Sequence, residues 1–257
     1  MNLSKYIITT SLIIGSVIDE LNGQKLPPIQ LDRPDQTECP FITPSGYIQV
    51  ENGFTIENLK DNQKNYFYPA SLWKYGVNEH FELRLITEFT SEKKDHQLST
   101  GLQPITLGLK TTLFNEKGLL PKTSLIGHIT SSGLGSKDFH STYIAPSLRF
   151  TMQHTLSERV SLSYNLGAEW NGETAEHTYI YTFTTGISIT DRLGGYMEIY
   201  GFIPQDQPAD HRFDGGLTYL VHPDFMLDLS GGGGLQSDVI KNYVSVGISY
   251  RFRLIKN

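Results

Sequence analysis

The chain has 257 residues, a formal net charge of -6 and 38% hydrophobic residues, which suits one large all-β domain. The acidic balance argues against a nucleic-acid-binding protein, because such proteins carry basic patches. The mean hydropathy of -0.28 is typical of a soluble protein. It does not exclude a transmembrane β-barrel, because lumen-facing and loop residues dilute the apolar signal of the strands.

The N-terminus predicts a secretory signal peptide over residues 1–23. Lys5 supplies a positive charge, and an apolar stretch follows from Tyr6 to Ile18. This stretch is shorter than the roughly 20 residues that a transmembrane helix needs. Cleavage after Gly23 is expected, and a retained anchor helix is the alternative.

Residues 24–45 predict an extended N-terminal segment rather than a packed element. Five of its residues are proline, which interrupts helices and strands. The one cysteine of the chain, Cys39, lies in this segment and cannot form an internal disulfide bond. It is expected to be an unpaired thiol without a catalytic or metal-binding role.

Residues 46–257 show apolar and polar residues in alternation, as in the closing segment from Tyr243 to Phe252. Side chains alternate between the two faces of a strand, so each such segment predicts one apolar and one polar face. We therefore predict an all-β, antiparallel, up-and-down transmembrane β-barrel of about 12 strands, closed by pairing of the last strand with the first. The predicted strands lie near 48–56, 66–75, 81–89, 105–113, 123–130, 144–153, 160–170, 179–189, 195–202, 214–221, 225–231 and 243–252.

The predicted connections alternate between short and long. Short turns are expected near 77–80, 155–159, 190–192 and 222–224, whereas the connection at 115–121 is longer than this pattern predicts. Long loops are expected near 90–103, 131–142, 203–213 and 231–242. The glycine run Gly231–Gly234 is interpreted as a strand end that continues into a flexible loop. This asymmetry is typical of outer-membrane barrels.

Alternation alone does not separate a membrane barrel from a soluble sandwich or lipocalin-like barrel. Aromatic residues near strand ends and mixed charges on the polar face favour the membrane barrel. Those charges are the candidates for lining the lumen. They are Glu51, Glu82, Arg84, Glu88, Lys110, Arg149, Glu169, Glu198, Asp228 and Arg251. Two roles stay open for them, either tuning the selectivity of a pore or forming a structural ion-pair network inside a narrow barrel.

Several short motifs occur in the order found in one known family. They are residues 31–40, 46–51, 75–76 with 81–84, 145–146, 164–167, 214–219, Asp228 and 247–251. With these motifs the chain resembles the outer-membrane proteins catalogued as putative MetA-pathway of phenol degradation proteins. The resemblance implies an outer-membrane barrel that passes small molecules, including hydrophobic or aromatic ones. The implied partners are outer-membrane lipid, a small-molecule solute and the barrel-assembly machinery.

Two functions other than a passive channel are compatible with the sequence. A lipid-modifying barrel enzyme would need a nucleophile beside a base, and His128 with Thr130 is the one such pair expected on a shared face. His140 is expected in a solvated external loop. A structural or adhesive barrel is the second alternative. We expect no cofactor and no metal site, since His211 near Asp206 and Asp210 is typical of an exposed acidic loop.

Overall fold

The computed structural model describes residues 26–95 and 97–254, so the predicted signal peptide lies outside the described residues. The strands are β1 (Tyr47–Leu59), β2 (Gln63–Gly76), β3 (Phe81–Lys94), β4 (Gln97–Leu102), β5 (Thr106–Phe114), β6 (Lys122–Thr130), β7 (Ala145–Thr155), β8 (Val160–Trp170), β9 (His177–Ser188), β10 (Leu193–Pro204), β11 (Asp210–His222), β12 (Phe225–Gln236) and β13 (Ile240–Arg253). A single turn of 3-10 helix spans Lys137–Phe139. No helix in the described residues is long and apolar enough to cross a membrane.

The strands form one closed antiparallel barrel. Strands that follow one another in the chain pair side by side, except β4 and β5, and β1 pairs with β13, where Ile48 lies opposite Phe252 and Ile56 opposite Val244. The short strands β4 and β5 pair with opposite ends of β3, so together they occupy one strand position. The barrel therefore has 12 strand positions, which confirms the predicted fold class, strand number and closing pair.

The interruption between β4 and β5 coincides with Pro104. Proline has no backbone N–H, so it cannot continue the hydrogen-bond ladder of a strand. The backbone amides of the residues on either side of Pro104 donate to other carbonyl groups. The amide of Gln103 donates to Glu88 O (2.8 Å), and the amide of Ile105 donates to Leu134 O in the loop after β6 (2.8 Å).

A bulge in β2 explains why the sequence of this strand carries aromatic residues on both alternating faces. Phe67 pairs with Thr55 and Ala70 pairs with Gly53, so β2 has one residue more than β1 between these pairs. The extra residue reverses the phase of the strand. Aromatic residues before and after the bulge consequently share the outer face, including Tyr68 and Trp73.

The outer face of the barrel is apolar and the inner face is polar. Along β13, Val244 is 58% exposed, whereas Ser249 is fully buried. Exposed apolar side chains occur on the outer face of every long strand. A soluble barrel has the opposite arrangement, with its apolar face packed inside. The barrel is therefore of the transmembrane type, with its apolar belt facing lipid.

The connections between the strands confirm the predicted short turns but only one of the predicted long loops. One end of the barrel carries the predicted short turns at 77–80, 156–159, 189–192 and 223–224, and the loop at 131–144 is long as predicted. The long loops predicted at 90–103, 203–213 and 231–242 are wrong, because strands fill most of these ranges. Gly231–Gly234 lies inside β12. A side chain at Gly232 would collide with Asp214, so glycine here permits close packing inside the barrel.

Candidate functional site

Residues 26–44, which we call the inserted segment, run through the interior of the barrel. They contain no strand or helix, as predicted, but the prediction that they are not packed is wrong. The segment enters at the end with the short turns, where the amide of Ile29 donates to Pro223 O (2.8 Å). Inward-facing side chains from strands around the whole barrel contact it. It therefore fills much of the lumen.

Wall side chains supply the hydrogen-bond partners that the backbone of the inserted segment lacks. Buried amides and carbonyls need such partners, because no ladder satisfies an irregular chain. One carboxylate oxygen of Glu51 accepts from the amides of Asp32 (2.9 Å) and Arg33 (3.1 Å). Glu82 accepts from the amide of Thr43 (2.8 Å). The side chain of Asn165 accepts from the Glu38 amide (2.7 Å) and donates to the Glu38 carbonyl (3.0 Å), as a paired strand would.

Asp32 is the centre of a buried ion cluster. Its carboxylate lies 3.0 Å from Lys74 Nζ on β2, from Arg84 Nη1 on β3 and from Lys110 Nζ on β5. Each of these side chains is at most 2% exposed. Burial opposes ionisation of Asp32, but the three cations outweigh it and hold the pKa of that carboxyl well below its usual range. The cluster ties the inserted segment to the β2–β5 wall.

Glu38 extends this attachment along the same wall. Its carboxylate accepts from Arg84 Nη2 (2.6 Å) and lies 3.7 Å from Arg149 Nη1. Arg149 also donates to Gln36 O (3.1 Å). One stretch of the inserted segment therefore carries the acidic partners of several wall cations.

Arg33 forms a separate attachment at the closing seam between β1 and β13. Its Nη2 atom donates to Asp228 Oδ1 (3.1 Å) and to Ser245 Oγ (2.9 Å). Gly53 on β1 lies directly opposite Gly247 on β13. A side chain at Gly53 would collide with the Arg33 guanidinium, and one at Gly247 would collide with the Asp228 carboxylate. The two glycines therefore leave the space that this ion pair occupies.

Eight of the ten predicted lumen-lining residues contact the inserted segment. Those eight are Glu51, Glu82, Arg84, Lys110, Arg149, Glu198, Asp228 and Arg251. Glu88 is half-buried beside two cavities, and Glu169 is half-buried without a hydrogen bond in the described residues. Whether these ten residues line a solute path stays a prediction.

Sequence reasoning missed Asp32, Arg33, Thr37 and Glu38 as functional residues. The ten predicted lumen-lining residues comprise six carboxylates and four cations, so they do not indicate missing acidic partners. The available signal is the segment itself, because a charged, proline-rich stretch just before the first strand can supply partners for charged groups that are buried inside a barrel.

Cavities lie on both sides of the inserted segment. A cavity of about 400 Å³ opens at the short-turn end, against the inner faces of β7–β11. Two smaller cavities, of about 310 Å³ and about 200 Å³, lie toward the other end. Arg33 lines all three of them, so the inserted segment forms the partition between the two ends of the lumen.

Comparison with known proteins identifies the family. The family described as Putative MetA-pathway of phenol degradation matches residues 31–252. The chain belongs to this family. The match begins at residue 31, so the phenol-degradation family pattern includes the charged part of the inserted segment. Comparison with curated proteins gives no match.

Solved structures share the barrel fold at low sequence identity. The COG4313 outer membrane channel from Pseudomonas putida F1 is 12% identical, with a TM-score of 0.64 over 87% of this chain and 100% of that one. The NanC porin is 8% identical, with a TM-score of 0.54 over 79% and 98% of the two chains. The KdgM porin is 10% identical, with a TM-score of 0.51 over 79% and 99%. These three similarities support the β-barrel fold of this chain.

Proposed function

We propose that the protein is a passive outer-membrane channel for small molecules, including hydrophobic or aromatic ones. One observation carries this proposal. The closed wall is apolar toward lipid and polar inside, and it encloses cavities at both ends of the inserted segment. Sites for small ligands in proteins have volumes of similar size, from about 300 Å³ upward. Solutes would move by diffusion down their gradient.

The cavity of about 310 Å³ supports aromatic or hydrophobic solutes. Its lining combines four aromatic side chains, Phe67, Tyr200, Phe202 and Tyr243, with a larger number of polar and charged ones. Aromatic rings contribute apolar area and stack favourably on other rings. The charged groups, among them Arg212 and Glu57, would orient a polar substituent of the solute.

We further propose that the barrel has no catalytic role. His128 and Thr130 are alternate residues of β6, as the enzyme alternative requires. However, the Thr130 hydroxyl hydrogen bonds to the Thr106 hydroxyl (2.7 Å), and Nε2 of His128 has no hydrogen-bond partner within residues 26–95 and 97–254. A catalytic nucleophile and its general base need to lie within hydrogen-bond distance of each other. His140 lies exposed in the loop after β6.

The proposed partners follow from the same architecture. The apolar belt would contact outer-membrane lipid, and the barrel-assembly machinery would insert the strands into that membrane. The Pro-rich residues 24–45 and the barrel of residues 46–257 would act together rather than as separate domains, because the inserted segment fills the lumen.

Liposome swelling tests the channel proposal. Purified protein in liposomes should admit small aromatic solutes faster than sugars, and empty liposomes give the background rate. Ala70 lines both smaller cavities, so Ala70→Trp should slow the flux by filling them. The matched control is Leu109→Trp, which adds the same ring on the exposed outer face and should leave the flux unchanged. Swelling no faster than that of empty liposomes would refute the proposal.

A further inference from the structure

Three carboxylates gather on the wall opposite the ion cluster of Asp32. Glu198 on β10 and Asp214 on β11 lie directly opposite each other in the strand register, and each is 3% exposed. Asp35 of the inserted segment is the third. The amide of Gln36, the next residue, donates to Glu198 (2.7 Å), which brings Asp35 close to this pair. Burial and the charges of Glu198 and Asp214 raise the pKa of the Asp35 carboxyl. Like charges opposite each other are destabilising, so this group needs compensation.

No cation of the described residues supplies that compensation. None of the three carboxylates forms an ion pair with a lysine or arginine there. Arg33, which lies in the same segment as Asp35, is held by Asp228 instead. Glu198 accepts hydrogen bonds from the Gln36 amide (2.7 Å) and from the hydroxyls of Thr37 and Thr184. These neutral donors stabilise the Glu198 carboxylate but supply no positive charge to the group.

Further oxygen atoms without partners point into the same region. Ser230 is 4% exposed, and its hydroxyl has no hydrogen-bond partner among the described residues. The hydroxyl of Tyr196 and the Oδ1 atom of Asp214 also have none. The ring of Tyr196 and Cβ of Ser230 meet over Gly216, where a methyl group would lie 2.6 Å and 3.0 Å from them. A buried oxygen without a partner costs free energy. All three oxygens have lone pairs, so a cation bound beside the carboxylates would satisfy them.

The carboxylates lie between the cavities at the two ends of the lumen. Along the inner face of β10, Tyr196 lines the cavity of about 400 Å³, and Tyr200 lines the cavity of about 310 Å³. Glu198 lies between these two tyrosines. Asp214 Oδ2 accepts a hydrogen bond from Tyr243, which also lines the smaller cavity (2.5 Å). Asp35 itself lines the cavity of about 400 Å³ and the cavity of about 200 Å³, so a solute that passes between these two cavities would meet the acidic layer at Asp35.

We propose that Asp35, Glu198 and Asp214 form a cation-selective constriction, which favours monovalent cations and solutes with an ammonium group over anions. Rings of acidic side chains produce cation selectivity in pores. No group of three histidine, cysteine, aspartate or glutamate residues in the described part of the chain could hold a metal ion. The constriction therefore selects by charge, with a weakly held cation. This inference rests on the proposed channel function and specifies its selectivity.

Reversal potentials in planar bilayers test the inference. Under a potassium chloride gradient, the wild-type protein should favour potassium over chloride. The double substitution Asp35→Asn with Asp214→Asn should lower the permeability ratio about fivefold or more, which is the effect of one unit charge at about 4 Å even in water. Asp61→Asn is the matched control, because it removes an exposed carboxylate in the turn between β1 and β2, away from the constriction. A wild-type channel without cation preference, or a double variant with the wild-type ratio, would overturn the inference.

Caesium NMR of the folded protein in detergent separates this inference from the channel proposal. Exchange with the acidic layer should broaden the caesium signal for the wild type and for Asp61→Asn, and the double variant should lose this broadening. Equal broadening in all three proteins would overturn the cation site, whatever the conductance. Broadening that depends on the two aspartates, without conductance in any protein, would support the site and refute the channel.

Discussion

The substitution Asp32→Asn should release the inserted segment from the β2–β5 wall. Asp32 contacts three buried cations, each at 3.0 Å. Lys74 would keep Glu51, and Arg84 would keep Glu38 and Glu82. Lys110 would lose its one carboxylate partner among the described residues and keep only backbone carbonyls.

The expected magnitude follows from that unpaired lysine. Removing one partner of a buried ion pair costs about 3–5 kcal/mol, because the remaining charge stays buried without compensation. A tenfold change in an equilibrium constant corresponds to about 1.4 kcal/mol. The ratio of released to docked segment should therefore rise by a factor of roughly 10² to more than 10³. Conductance should rise with it, since the segment fills much of the lumen.

Cys39 provides the assay, because it is the one cysteine of the chain and lies in the inserted segment. Burial raises the pKa of its thiol from 9.0 to about 12. The thiolate is the reactive form, so the docked segment holds about a thousandfold less of it than an ordinary cysteine does at neutral pH. Maleimide labelling of the folded protein should be slow in the wild type and much faster in Asp32→Asn.

The control substitution is Asp61→Asn, which makes the same chemical change in the exposed turn between β1 and β2. Asp61 has a positive φ of 54°, which asparagine also adopts readily. Its labelling rate should equal that of the wild type. Combining Asp32→Asn with Lys110→Met should restore slow labelling in part, because it removes the unpaired charge. Wild-type labelling and conductance in Asp32→Asn would refute the reasoning.

Three further predictions concern other parts of the barrel. Gly53→Leu should displace Arg33 and speed the labelling of Cys39, and an unchanged rate would contradict the role given to the seam glycines. Leu109→Arg places a charge on the outer face of the barrel and should lower the free energy of unfolding, measured with urea in lipid vesicles. The expected loss is about 2–4 kcal/mol if Leu109 lies near the bilayer midplane, and a smaller loss would place it closer to the interface. The cation preference, measured as reversal potential, should decline on acidification already above about pH 4. Asp35 faces Glu198, Asp214 and Asp32, and its raised pKa makes it take up a proton at a higher pH than an ordinary carboxyl does. A preference that stays constant down to about pH 4 would contradict this.

Much of the barrel could be predicted from the sequence because strand alternation is a local pattern. The residues from Tyr243 to Phe252 predict a two-faced strand by themselves, and the sum of such segments predicts the strand number. The bulge of β2 interrupts the alternation of apolar and polar residues in this strand, since the face to which alternate side chains point reverses near Tyr68. The glycines of β12 resembled a loop, because the crowding that requires them comes from a neighbouring strand.

The candidate site could be predicted only in part. The inward charges were identified, but their partners in the inserted segment were not. Asp32 pairs with residues 42, 52 and 78 positions away, and Arg33 with one 195 positions away. Prolines correctly indicated the absence of strands and helices there. They did not indicate packing, which arises because wall side chains satisfy the backbone of an irregular chain.

The cations on the inner face of β2–β7 keep all of their carboxylate partners only while the inserted segment is present. Lys74, Arg84, Lys110 and Arg149 pair with four carboxylates, and two of these, Asp32 and Glu38, belong to the segment. A segment that left the lumen would leave these four cations with two carboxylate partners, Glu51 and Glu82. Opening the barrel in this way would thus do more than widen the bore, because it would add an anion-attracting surface opposite the acidic layer.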